Sequence, residues 1–173
     1  VDEFVYAVSA EQWDNGSLLR LGRVPRERIL ERQAWQFFTG IGLGGRPEWS
    51  SEIADAAPVL ARTGRISLPE MVYLKHIDRY LLLTWSLHKD FNPEAGSRLH
   101  LYVAARPWGP FELFHDEDPW LTPEQTPYCP RLPLKWFDPA TNRGWLLHSG
   151  SWSKLYSKTY YRVSVRQFEL SVS

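Results

Sequence analysis

The chain has 173 residues, with 20 Lys and Arg balancing 20 Asp and Glu, and 43% hydrophobic residues. Balanced charge gives no electrostatic reason to expect nucleic acid or an anionic membrane as partner, and no apolar run approaches the ~20 residues of a bilayer-spanning helix. The lone cysteine, Cys129, rules out an internal disulfide and a cysteine-based zinc centre.

In chain order, strand-like runs fall at 4–8, 17–24 and 34–38. Between the last two, residues 25–32 predict a short helical turn or two. Pro25 suits a first turn there, and the like-charged pairs Glu27–Glu31 and Arg28–Arg32 weaken anything longer. The glycine-rich stretch 40–47 reads as a turn, because it opens no periodic helix that would hold a phosphate. A further short turn is expected within 52–60. The next runs are 68–74, 80–85, 98–104 and 110–114, then 128–134, 144–148 and 160–165, with a weak last one over 168–172. Gly and Pro punctuation ends each of them.

The runs opening at 68 and 128 head two copies of one antiparallel meander about 60 residues apart. The three N-terminal runs match the second, third and fourth strands of the same unit. The chain therefore reads as all-β, one domain over 1–173, in repeats of approximately 1–60, 61–122 and 123–173. Tandem four-stranded meanders are the blades of a β-propeller. About three blades, the first without its inner strand and the last with a weak outer one, are too few to close a ring. The chain is thus expected to be a propeller portion, completed by N-terminal blades, by an additional polypeptide or by self-association. Any of these would cover the open edge left at the first repeat. No basic and then apolar leader precedes the first strand.

Leu21-Gly22-Arg23-Val24-Pro25, Ala34-Trp35-Gln36-Phe37-Phe38, Pro69-Glu70-Met71-Val72-Tyr73, Arg79-Tyr80-Leu81-Leu82-Leu83-Thr84 and Pro107-Trp108-Gly109-Pro110-Phe111 carry a resemblance. The chain resembles a family of five-bladed β-propellers of poorly known function. That family is related in architecture to arabinanase- and xylosidase-type glycoside hydrolases. The resemblance implies a five-bladed ring of which this is a C-terminal portion, a carbohydrate ligand, no cofactor and a secreted protein. In the wider group the general acid is a Glu close to a Pro where an inner strand enters the channel. Glu70, beside Pro69, is the matching position, although many arabinanase-like enzymes have the order Glu-Gly-Pro. The Asp base of that group belongs to a first blade, which this chain lacks on the same reading.

Glycoside hydrolysis needs two carboxyl groups, one protonated and one ionised. Glu70, set against Met71 and Tyr73, would have its pKa raised by partial desolvation; it also reads as a strand-end charge paired to Arg65 or Arg131. Asp90 reads either as a second carboxylate or as a turn residue of its His-Lys-Asp-Phe-Asn-Pro loop. Loops after second strands share one end of the sheets with the starts of first strands. That end gathers Trp13, Asp14 and Asn15, then Trp85 and His88, then His148 and Trp152, with Tyr128 and Arg131. Aromatic faces beside a few hydrogen-bonding groups suit sugars. Trp35, Trp108, Trp136 and Trp145 read as packing residues, while Trp13, Trp85 and Trp152 stand open between packing and stacking.

The run Asp116-Glu117-Asp118 lacks the spacing of a calcium loop and reads as a solvated outer loop. His76, His100 and His115 occupy non-equivalent positions, so no metal is expected. Cys129 reads as a small buried residue. The expected function is a glycoside hydrolase-like enzyme acting on a polysaccharide. In it Glu70 is the acid, Asp90 a candidate second carboxylate, and Arg131, His88 and Trp85 position the sugar. The alternative is a non-catalytic module that binds glycan or protein, and a third reading is a structural fragment of a larger assembly.

Overall fold

A computed structural model describes residues 3–89, 96–121, 126–150, 152–153, 158–159 and 162–171. It is all-β: antiparallel strands joined by turns and short 3-10 segments, with no α-helix among the described residues. The first sheet contains β1 (Phe4–Ala10), β2 (Gly16–Pro25), β3 (Gln36–Ile41), β4 (Pro47–Ser50) and β5 (Pro58–Ile66). One edge of β2 is paired along its length with β1. The other edge is divided, with β3 bonded at Gly22 and Arg23 and β5 from Gly16 to Arg20.

The second sheet is a four-stranded meander of β6 (Glu70–Leu74), β7 (Arg79–Leu87), β8 (Ser97–Ala104) and β9 (Glu112–Glu117), each paired with the next. Next come β10 (Tyr128–Arg131), β11 (Arg143–Ser149), a two-stranded pair of β12 (Trp152–Ser153) with β13 (Lys158–Thr159), and β14 (Val163–Glu169). The third sheet has the order β10-β11-β14.

β7 shows why the three sheets stack. Its residues are buried from Leu81 to Leu87, the continuous apolar signature of a strand covered on both faces. Leu81, Leu83, Trp85 and Leu87 pack with Leu99, Trp120, Leu132 and Leu146 toward the third sheet. Leu82 packs the other way, with Leu19, Ile66 and Tyr102 against the first sheet. Each such leucine contributes about 1.5–3 kcal/mol by leaving water. The second sheet is therefore the filling between the other two.

Several expectations need correction. Residues 47–66 hold β4 and β5 as well as the 3-10 turn at Ile53–Asp55, so the first sheet has five strands rather than three. β5 escaped notice because Ala61, Arg62 and Thr63 are consecutively exposed and break the alternation that marks a strand. The weak outer strand over 168–172 is not separate, since Phe168 and Glu169 complete β14. The pairing of β14 with β11 runs unbroken from Ser149↔Val163 to Arg143↔Glu169. Phe168 is needed there, because it stacks on Phe137 over Gly144. Asp116 and Glu117 lie on β9 rather than in a solvated loop; Asp116 is hydrogen-bonded to His100 and Glu117 is ion-paired with Arg166. Trp136 and Trp145, read as packing residues, are 51% and 40% exposed.

Candidate functional site

The loop from β1 to β2 carries Trp13, Asp14 and Asn15. Asn15 has φ 47°, a left-handed conformation that Asn tolerates better than most residues. Its N–H donates to Ser67 Oγ at 2.8 Å and its Oδ1 accepts the Leu87 N–H at 2.7 Å. Ser67 is anchored in turn, donating its N–H to Thr84 Oγ1 at 2.8 Å while its carbonyl accepts the Thr84 hydroxyl at 2.7 Å. Loop one is thus bolted to both strands at the open end of the β6–β7 pair, and Asp14 is buried beneath it.

This anchoring sets Trp13 edge-on to Trp85, with ring centroids 5.3 Å apart and planes at 83°. Tyr128, from the third sheet, lies 6.1 Å from Trp13 and 5.6 Å from Trp85. One aromatic residue from each sheet meets at one point, and such pairs add about 0.5–1.5 kcal/mol each beyond area burial. Trp85 is fully buried, whereas Trp13 keeps 49% of its surface exposed. Trp85 is therefore the support and Trp13 the face.

Tyr128 reaches this point through a bulge. It pairs with Ser149 and Arg131 pairs with Leu147, so three steps on β10 oppose two on β11. The extra residue is taken up around Cys129, at φ 53°. A bulge bends the strand and re-aims its side chains. Burial pushes the Cys129 thiol up against the weaker opposing charge of Arg131, so the thiol is a packing group rather than a nucleophile.

Glu70 begins β6 and is half-buried. Its Oε2 accepts the Leu132 N–H, and Arg131 Nη1 donates to the carbonyls of Leu68, at 3.2 Å, and Pro130, at 3.0 Å. Burial raises the Glu70 pKa, opposed by the Leu132 N–H and the Arg131 charge. The expected ion pair of Glu70 with Arg65 or Arg131 does not form; the carboxyl instead ties adjacent sheets together through a backbone N–H, and it holds its proton more tightly than an ordinary glutamate.

The remaining expected site residues are distributed differently. His88 turns toward the outer strands, where its Nε2 lies 2.6 Å from Asp118 Oδ1 while Arg98 donates to Asp118 Oδ2 at 2.7 Å. His148 is buried with its ring 5.4 Å from Trp120, and burial lowers its pKa. Trp152 is described as a position on β12 only, and Asp90 lies outside the described residues. The structure therefore brings Trp13, Trp85 and Tyr128 into contact, ties Glu70 to Leu132 and Arg131 to Leu68, and sets His88 and His148 in other environments.

One constellation was missed. Ser86 Oγ lies 2.9 Å from His100 Nε2, and His100 Nδ1 lies 2.8 Å from Asp116 Oδ1. The order Ser, His, Asp is that of an activated hydroxyl, but Ser86 and His100 are both 0% exposed. A nucleophile must meet its substrate, so this chain of bonds across β7, β8 and β9 serves as a tie. Its sequence signal was the pair Thr84 and Ser86, two polar residues on one face of an otherwise apolar strand.

Comparison with models of known protein families finds no match, and comparison with curated proteins finds none either.

Proposed function

We propose that the chain is a portion of a β-propeller whose inner-strand end binds carbohydrate. Support for the propeller comes from the central four-stranded meander and from the face-to-face stacking of three sheets around β7. The observation that carries the ligand class is Trp13, half-exposed and braced by Trp85 and Tyr128 from the two other sheets. A rigid aromatic face stacks on the CH face of a pyranose or furanose ring, and Glu70 and Arg131, at the same end of the sheets, are hydrogen-bonding groups for hydroxyls. Binding to a panel of immobilised arabinan, xylan and other oligosaccharides tests this, with Trp13→Ala alongside. The expected result is retention of at least one oligosaccharide by the wild type and its loss in the variant. Retention of none, or equal retention by both proteins, removes the reading.

A second reading is favoured by the raised pKa of Glu70: a glycoside hydrolase-like activity on a polysaccharide, with Glu70 as the acid. It requires a second carboxyl across the sugar. Asp90, which lies outside the described residues, is the candidate. Release of reducing ends from a bound polysaccharide by wild type, abolished in Glu70→Gln, is the expected result. Equal release by both proteins removes Glu70 from the mechanism.

A further inference from the structure

At the opposite end of the sheets lies a second cleft of about 460 Å³. β1 starts there and runs toward Trp13, while β6 ends there and β7 begins there. Its size falls within the roughly 300–1,000 Å³ of small-molecule sites. The aromatic lining includes Tyr6, Tyr73, Tyr80 and Trp108. These rings brace one another: Tyr73 and Tyr80 are 4.9 Å apart, Tyr6 meets Tyr80 edge-on at 6.4 Å, and Trp108 meets Trp49 edge-on at 6.2 Å. The walls are thus set before any ligand arrives, which lowers the cost of binding.

Charge decides what such walls would take. Arg26, Lys75 and Arg106 line the cleft from three separate segments, following β2, β6 and β8. None of the three makes an ion pair with a carboxylate among the described residues. Among the described residues the one acidic side chain lining the cleft, Asp78, accepts the Tyr73 hydroxyl at 2.6 Å. Among the described residues, three cations against one carboxylate leave the cleft with an excess of two positive charges.

We infer that this cleft binds an acidic saccharide, its sugar rings lying on the aromatic walls and its uronate carboxylates meeting Arg26, Lys75 and Arg106. A compact inorganic anion would use the cations and leave the aromatic walls idle. A neutral sugar would do the reverse. A chain with a carboxylate on each ring uses both, since it brings several charges to cations that come from three segments. Charge-assisted bonds from Arg and Lys to carboxylates are among the stronger hydrogen bonds in proteins.

The test is calorimetric titration of the full chain with trigalacturonate, with neutral galactotriose and with inorganic sulfate. It uses wild type, the double variant Lys75→Gln/Arg106→Gln and Trp13→Ala. Lys75 and Arg106 are exposed, so the double variant keeps the core intact, and its melting temperature confirms this. The expected result is trigalacturonate binding at least about tenfold tighter than galactotriose, equivalent to about 1.4 kcal/mol. The double variant loses about tenfold in affinity for it, Trp13→Ala loses none, and binding weakens as salt screens the cations. Galactotriose or sulfate binding as tightly as trigalacturonate overturns the proposal. So does a loss that follows Trp13→Ala and not the double variant. The Trp13 reading stands or falls separately, on neutral oligosaccharides.

Discussion

Asn15 and Leu87, 72 positions apart, are joined by a hydrogen bond in which the Asn15 side-chain oxygen accepts the Leu87 N–H at 2.7 Å. That bond closes the β1–β2 loop onto the end of β7 and so determines where Trp13 stands. Asn15→Ala removes the acceptor and leaves a part-buried N–H without its partner, which costs about 1–3 kcal/mol. Urea unfolding is expected to show that loss, and sugar binding is expected to weaken with it. Asn15→Asp keeps an acceptor oxygen and is expected to lose less of both.

Glu70 connects the second and third sheets through the Leu132 N–H. Glu70→Gln retains an acceptor for that N–H, whereas Glu70→Ala does not and is expected to cost about 1–3 kcal/mol more. The pH dependence has a definite sign. Burial raises the folded pKa above that of the unfolded chain, so the folded state binds more protons between the two values. The contribution of Glu70 is fully present below the unfolded carboxylate value and is lost as pH rises through the raised folded value. Urea midpoints measured across that window are expected to fall more steeply for wild type than for Glu70→Gln.

His100 and His148 act in the opposite direction. Burial lowers both pKa values, for His100 against the pull of Asp116. Their neutral rings favour the fold above the unfolded value of about 6.5, and this stability is lost as pH falls from there through the lowered folded values. His148→Leu is expected to flatten the acid limb of a stability–pH curve.

Ser86→Ala deprives buried His100 Nε2 of its partner and is expected to cost about 1–3 kcal/mol. Because Ser86 is fully buried, the same substitution is expected to leave sugar binding unchanged. Urea unfolding and a binding titration on the same sample check both halves.

Gly144 is required for space. A Cβ there would lie 2.7 Å from Phe137 Cδ2 and 2.9 Å from Phe168 Cζ. Gly144→Ala must push apart the stacked pair that fastens β14, at a cost of about 1–3 kcal/mol. Thermal unfolding is the check, with the melting temperature expected to fall.

How much of this was visible in the chain depends on local signal. The meander from Glu70 to Glu117 was legible because β7 is largely apolar and β8 mostly alternates. β5 was not, because its middle is exposed and its partner was chosen by the free edge of β2, a property of the assembled sheet. That Trp13, Trp85 and Tyr128 share one end followed from strand direction, since antiparallel paths return loops to the same end; their contact depends further on the Asn15 bonds and the bulge at Cys129. The turning of His88 toward Asp118 depended instead on a hydrogen bond between side chains 30 positions apart, which no local pattern encodes. The run from Asp116 to Asp118 looked solvated for the same reason: its partners His100, Arg166 and Arg98 come from other strands.

The most direct measurement follows the tryptophan indole N–H resonances while a neutral oligosaccharide retained by the protein is titrated in. The account predicts saturable shifts at Trp13 and smaller ones at its support Trp85, with Trp49 and Trp108 at the other end unmoved. Shifts confined to Trp49 and Trp108, or no shift at Trp13 at a saturating concentration, would contradict it.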